Sequence, residues 1–98
     1  MKKGYYITDK GKKVIIDSQE YINLSGRNIV ELILPSHGVE TVYCHNNQLK
    51  ELILPSGVKY VWCENNQLKE LILPSHGVKN VHCYNNQLKE LILPSGVK

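Results

Sequence analysis

No stretch of this sequence approaches the ~18 consecutive apolar residues that a membrane span needs. The opening Met1-Lys2-Lys3-Gly4-Tyr5-Tyr6 has none of the apolar core of a secretory signal. These two absences predict a cytoplasmic protein with no membrane contact, with non-classical secretion as the alternative. There is no glycine-rich phosphate loop, no heptad pattern and no basic amphipathic helix. A dense basic face is missing too. Of the formal charge of +3, the first twenty residues hold most, through Lys2, Lys3, Lys10, Lys12 and Lys13 against Asp9, Asp17 and Glu20. The nearly neutral remainder argues against nucleic acid as a partner. With 98 residues, the chain forms one small domain with no room for a large enclosed active site. At 42% hydrophobic and 21% charged residues, it is nonetheless expected to fold rather than stay disordered.

What the sequence does have is repetition. From Val39 the chain rewrites one string, over residues 39–57, 58–77 and 78–96, and Val97-Lys98 open another. A degenerate earlier copy begins near Gln19, with Ile22, Leu24, Ile29, Leu32, Leu34 and Pro35 on the same offsets and Gly26-Arg27 where later copies carry Asn-Asn. Pro-Ser-His-Gly turns (His37, His76) alternate with shorter Pro-Ser-Gly turns (Gly57, Gly96), so the repeating unit is a pair of copies, as a recent duplication would leave it.

Each copy alternates apolar and variable residues around Val-x-Cys, the pattern of a half-buried strand over 42–44, 61–63 and 81–83. Stacking such copies about 4.8 Å apart forms inward ladders of Val42, Val61, Val81 and of Cys44, Cys63, Cys83. Asn47, Asn66 and Asn86 follow at the turn, where an inward carboxamide can bond backbone groups the turn leaves unpaired. Leu49, Leu52, Leu54 and their equivalents return inward before Pro and Gly close the coil. Ahead of the repeats, Tyr5 to Thr8 and Val14 to Ile16 flank Asp9-Lys10-Gly11-Lys12 as a β-hairpin. The predicted organisation is an N-terminal capping hairpin over residues 1–18 and repeats over 19–98, about four coils with the last incomplete.

At Val58, Val61, Cys63, Asn66 and Leu68 the string resembles the leucine-rich repeat pattern L-x-x-L-x-L-x-x-N-x-L. Its short period is similar to the bacterial effector-type subclass, also found in viral and phage proteins, although Leu-Ile-Leu-Pro replaces the usual Leu-Pro-x-Leu-Pro. The resemblance implies a mostly β leucine-rich repeat solenoid with a parallel concave sheet, usually serving protein recognition. That agrees with where the copies differ. The frame is constant, while the outward strand positions change at every step: Asn23, Tyr43, Trp62, His82; Tyr21, Thr41, Tyr60, Asn80; Ser25, His45, Glu64, Tyr84. Tyr43, Trp62, His82, Tyr60 and Tyr84 are the expected anchors for a protein partner. His45, Glu64, Lys59 and Lys79 are expected to tune the charge.

A second stripe, Ile33, Ile53, Ile72 and Ile92, is expected on the convex side. It reads either as a stabilising second β-ladder or as a self-association seam, to which the open edge at Val97 also contributes. Chemistry is not expected. An odd number of cysteines in one inward position makes a disulfide framework implausible. Zinc binding by Cys44-His45 or His82-Cys83 fails because strand neighbours face opposite sides. Ser36, Ser56, Ser75 and Ser95 have no neighbouring base, and Glu64 is a lone concave acid. Hence no catalytic residues, metal or cofactor are assigned. The alternatives are a recognition fragment of a larger effector and a glycan or small-ligand binder.

Overall fold

The structure, a computed structural model, describes residues 3–74 and 77–88. Among these residues there are nine strands and no helix: β1 (Gly4–Thr8), β2 (Lys13–Ile16), β3 (Tyr21–Asn23), β4 (Ile29–Ile33), β5 (Thr41–Tyr43), β6 (Glu51–Ile53), β7 (Tyr60–Trp62), β8 (Glu70–Ile72) and β9 (Asn80–His82). Parallel strands stack into a β-solenoid of about three turns. One wall is a four-stranded sheet in the order β3-β5-β7-β9, and the return arm carries the parallel pair β6-β8. The expected coil at Val97-Lys98, together with Ile92, Ser75, His76 and Ser95, lies outside the described residues.

The strand wall follows from the repeat. Ile22, Val42, Val61 and Val81 stand in one register, and Val42 and Val61 are completely buried. Cys44 and Cys63 are equally buried beside them, although the strands begin and end one residue earlier than the sequence pattern predicts. Bonding nevertheless runs on past the strand ends: the Cys44 amide donates to the Trp62 carbonyl at 2.8 Å and the Cys63 amide to His82 at 2.9 Å.

The Asn-Asn pair that ends each strand splits into two jobs. The first asparagine takes the left-handed backbone region, with φ of 58° at Asn46, 56° at Asn65 and 57° at Asn85, where asparagine is tolerated better than most residues. Its side chain points out and joins the next copy: Asn65 Nδ2 donates to Asn46 Oδ1 at 2.9 Å and Asn85 Nδ2 to Asn65 Oδ1 at 2.7 Å. The second asparagine turns in. Asn66 Nδ2 donates to the carbonyls of Cys44 and Cys63, both at 3.0 Å, while its Oδ1 accepts from the Leu49 amide at 3.0 Å. Asn86 repeats the pattern one coil later, serving Leu68, Cys63 and Cys83.

On the return arm β6 and β8 pair Glu51 with Glu70, Leu52 with Leu71 and Ile53 with Ile72, so the isoleucines form the second β-ladder of the two readings. Leu49, Leu52, Leu54 and Leu68 fill the interior. The hairpin forms, with β1 and β2 antiparallel and Gly11 at φ 83° in the turn. On its other edge β1 also pairs antiparallel with β4, giving the order β2-β1-β4. The hairpin therefore extends the return side of the coil, and β3 stands at the end of its own sheet. Tyr6 and Ile16 enter the same hydrophobic core as the repeats.

Candidate functional site

The outward residues of β3, β5, β7 and β9 share one face, in the registers Asn23–Tyr43–Trp62–His82 and Tyr21–Thr41–Tyr60–Asn80. In-register parallel strands bring equivalent side chains to about 4.8 Å, close to the stacking distance of aromatic rings. The central ladder uses this. Tyr43 and Trp62 stack with centroids 4.7 Å apart and planes 16° from parallel, and Trp62 and His82 stack at 4.9 Å and 9°. Coplanar rings could not approach so closely, so the rings overlap along the solenoid axis. Both faces of Trp62 and one face each of Tyr43 and His82 are spent in the stack, which leaves chiefly the rim of Trp62 to a ligand.

The third ladder behaves differently from a free polar row. Glu64, expected as an exposed concave acid, is only 8% exposed between His45 and Tyr84. The Tyr84 hydroxyl donates weakly to Glu64 Oε2 at 3.5 Å, whereas Glu64 Oε1 and His45 Nδ1 are buried without a hydrogen-bond partner. His45 also meets the rim of the stack, its ring 6.5 Å from Tyr43 and nearly perpendicular. Tyr84 itself is 59% exposed and remains available on the surface. On the Tyr21–Thr41–Tyr60–Asn80 ladder Thr41 is buried, Tyr60 and Asn80 are half-buried and Tyr21 is exposed. Lys59 lies 4.0 Å from Glu40, and Lys79 is exposed. The structure thus gathers Tyr43, Trp62 and His82 into one body and His45, Glu64 and Tyr84 into a second beside it. Asn23 was not singled out as a site residue. It occupies the rung before Tyr43 and accepts from the Ser25 hydroxyl at 2.8 Å.

All three cysteines are free thiols. Burial pushes the Cys44 thiol well above its ordinary range, with the neighbouring Cys63 and Glu64 adding to the effect. Burial first, then Cys83 and Glu64, push Cys63 from about 9 to about 12. Cys83, less covered, is raised by burial as well. Two results follow. A disulfide-exchange reagent at pH 8 should label Cys83 first, and Cys44 and Cys63 only as fast as the protein opens. Because the unfolded thiol ionises near 9 and the folded Cys63 near 12, stability should be level below pH 9 and fall as pH rises between these values. At pH 10 the Cys63 contribution is a loss on the order of 1 kcal/mol. Urea unfolding at pH 7 and pH 10 measures it, with Cys63→Ala as the variant in which that loss disappears.

Among the described residues no group of three His, Cys, Asp or Glu comes together as a metal site would require. Among the described residues there is no helix long and apolar enough to cross a membrane. The fold and its strand face define a class, a β-solenoid repeat protein. Compared with models of known families, with curated proteins and with solved structures, the chain matches none of them.

Proposed function

We propose that this chain is a leucine-rich-repeat-type solenoid that works without catalysis, binding another protein through its strand face. The observation that carries this reading is the Tyr43–Trp62–His82 stack: the most divergent positions of otherwise near-identical copies form one continuous aromatic body on a single face. Copies that served the fold alone would have no reason to concentrate their differences on that face. Aromatic anchors next to adaptable polar groups are the usual composition of binding hot spots. The repeat assignment draws support from the inward asparagines at the Asn position of the leucine-rich pattern, each bonding backbone of two successive coils. In this reading the N-terminal hairpin is the cap. It covers the return side of the first coil through β4.

The stack also bears on the alternative ligand. Sugars bind aromatic residues through ring faces, and here both faces of Trp62, the largest ring, are taken up by its neighbours, so the geometry favours a partner that contacts its rim. The test is comparative enrichment of binding proteins from lysates on immobilised wild type and on Trp62→Ala. Trp62 is half-buried, so the variant should keep its fold by circular dichroism. A partner of the strand face should be retained at least about tenfold less well by Trp62→Ala. Identical retention by the two proteins removes the reading. The single tryptophan adds a second measurement, since its emission should be open to acrylamide in the free protein and shielded on binding.

A further inference from the structure

The two walls of the solenoid end differently on the hairpin side. On the return wall β4 is covered by β1, and β1 by β2. The front wall, the sheet β3-β5-β7-β9, stops at β3, whose one partner strand among the described residues is β5. The Thr41 amide donates to the Glu20 carbonyl at 2.9 Å and the Leu24 amide to the Tyr43 carbonyl at 2.7 Å. In a parallel ladder this commits the main chain of Glu20, Ile22 and Leu24 to β5 and turns that of Tyr21 and Asn23 the other way. Among the described residues the Tyr21 amide, the Tyr21 carbonyl and the Asn23 amide therefore have no backbone partner. The Asn23 carbonyl accepts from the Arg27 guanidinium at 3.4 Å, which marks the downstream limit of the open edge.

Bare edges are normally blunted by proline, lysine, a bulge or a strand cut short. Tyr21-Ile22-Asn23 has no proline or lysine, and its register with β5 is unbroken. At 3 residues it is as long as β5, β7 and β9. Nor do its own side chains cover it. Asn23 folds along the strand, accepting from the Ser25 amide at 3.2 Å and the Ser25 hydroxyl at 2.8 Å. Tyr21 is 61% exposed, and its neighbour on the next rung is Thr41, so its ring lacks the stacking partner that Tyr43 has in Trp62.

The geometry points to strand addition at β3: an extended segment of a partner protein lies along the open edge, bonding Tyr21 and Asn23 through its main chain and stacking an aromatic side chain on Tyr21. Extended backbone offers donors and acceptors at the alternation that a strand edge presents. A β-branched neighbour facing inward prolongs the ladder Ile22–Val42–Val61–Val81. A second copy of this chain fits less well. Any coil brought up to β3 carries its own return wall, which meets the hairpin projecting past β4. A single segment needs only the width of one strand, about 4.8 Å. This mode is separate from the side-chain contacts of the strand face and holds whether or not Trp62 anchors a partner.

The probe is a fluorescein-labelled peptide of about eight residues, threonine–tyrosine–valine–threonine flanked by serines, read by anisotropy against the full chain. Two isomers carry N-methyl groups on alternate amides, one isomer for each edge of the peptide. The parent should bind saturably, with one isomer equal to it and the other at least about tenfold weaker. Tyr21→Ala should weaken the parent about tenfold. Asn23→Pro, which an edge strand tolerates, should block addition by replacing the amide, while Asn23→Ala keeps the amide and the affinity. If the proline disturbs folding, the methylated pair on wild type carries the test alone. The inference is overturned by absence of saturable binding, or by equal affinity of the two isomers, which would leave side-chain contact only. It is equally overturned by sedimentation showing self-association that Asn23→Pro abolishes, which would make the occupant a second copy.

Discussion

Replacing Asn66 by alanine is expected to lower stability by about 4 kcal/mol, a large share of what a domain of this size possesses. Asn66 is 8% exposed and its carboxamide closes contacts in two coils at once. Without it the Leu49 amide is a buried donor with no acceptor. The carbonyls of Cys44 and Cys63 each lose a bond as well. Orphaning a buried backbone group costs about 1–3 kcal/mol; the Leu49 amide is orphaned outright, while the Cys44 and Cys63 carbonyls each fall to one remaining donor, from Asn47 and Asn86. Asn66→Asp should be no rescue, since it keeps the acceptor but loses the donor and buries a charge. The neighbouring Asn65 provides the contrast. It is exposed and its main task is a φ of 56°, so Asn65→Gly should be nearly neutral and Asn65→Ala should cost about 1 kcal/mol. Urea denaturation followed by circular dichroism measures all four variants. An Asn66→Ala midpoint within error of Asn65→Ala would show that the inward asparagines do not tie the coils together.

The second large effect is expected at Gly4, where β1 crosses closest to β4. A Cβ on Gly4 would lie 2.7 Å from the Pro35 nitrogen and 2.8 Å from the Leu34 carbonyl carbon, and would run into the Ile33 carbonyl oxygen. Every one of these atoms is backbone, so no side chain can swing away. Gly4→Ala must therefore push β1 off β4, weakening the pairs Tyr5–Ile33 and Tyr6–Leu32 and loosening Tyr6 and Ile16 from the core. A loss of about 3 kcal/mol is expected. Hydrogen exchange should place the damage in β1, β2 and β4, with β7 and β9 protected as before. If Gly4→Ala unfolds at the wild-type midpoint, the hairpin is not docked through this contact.

Much of this was legible in the sequence because a repeat converts period into space. Once Val42, Val61 and Val81 occupy equivalent positions, stacking them is the only way to bury all three, and the outward ladders follow without further choice. The partner of the hairpin was not legible. Tyr5-Tyr6-Ile7 alternates like any edge strand, and only the approach of Gly4 to Ile33–Pro35 selects β4 over the open side of β3. The division of labour within Asn-Asn was half legible: an inward Asn66 is implied by the turn, but the left-handed backbone of Asn65 depends on where the strand stops. Glu64 was misjudged as open because alternation says which face a residue leaves from, not how deeply its neighbours cover it. The bulk of His45 and Tyr84 on the adjacent rungs was the available signal. The stripe of Ile33, Ile53 and Ile72 was legible from the period, but its extension to Tyr5 and Ile15 was not, because these belong to a segment with no repeat.

The inward asparagines also give the solenoid a direction. Leu49 relies on Asn66 and Leu68 on Asn86, so these inward amides of each coil are satisfied by the coil that follows it. Cutting the chain after Gly77 would remove Asn86 and leave a donor stranded in a coil that had lost none of its own residues. Damage at the C-terminal side therefore travels backward one coil at a time, like a zip opening from one end. The opposite side is fastened differently, by a hairpin whose strands belong to no repeat.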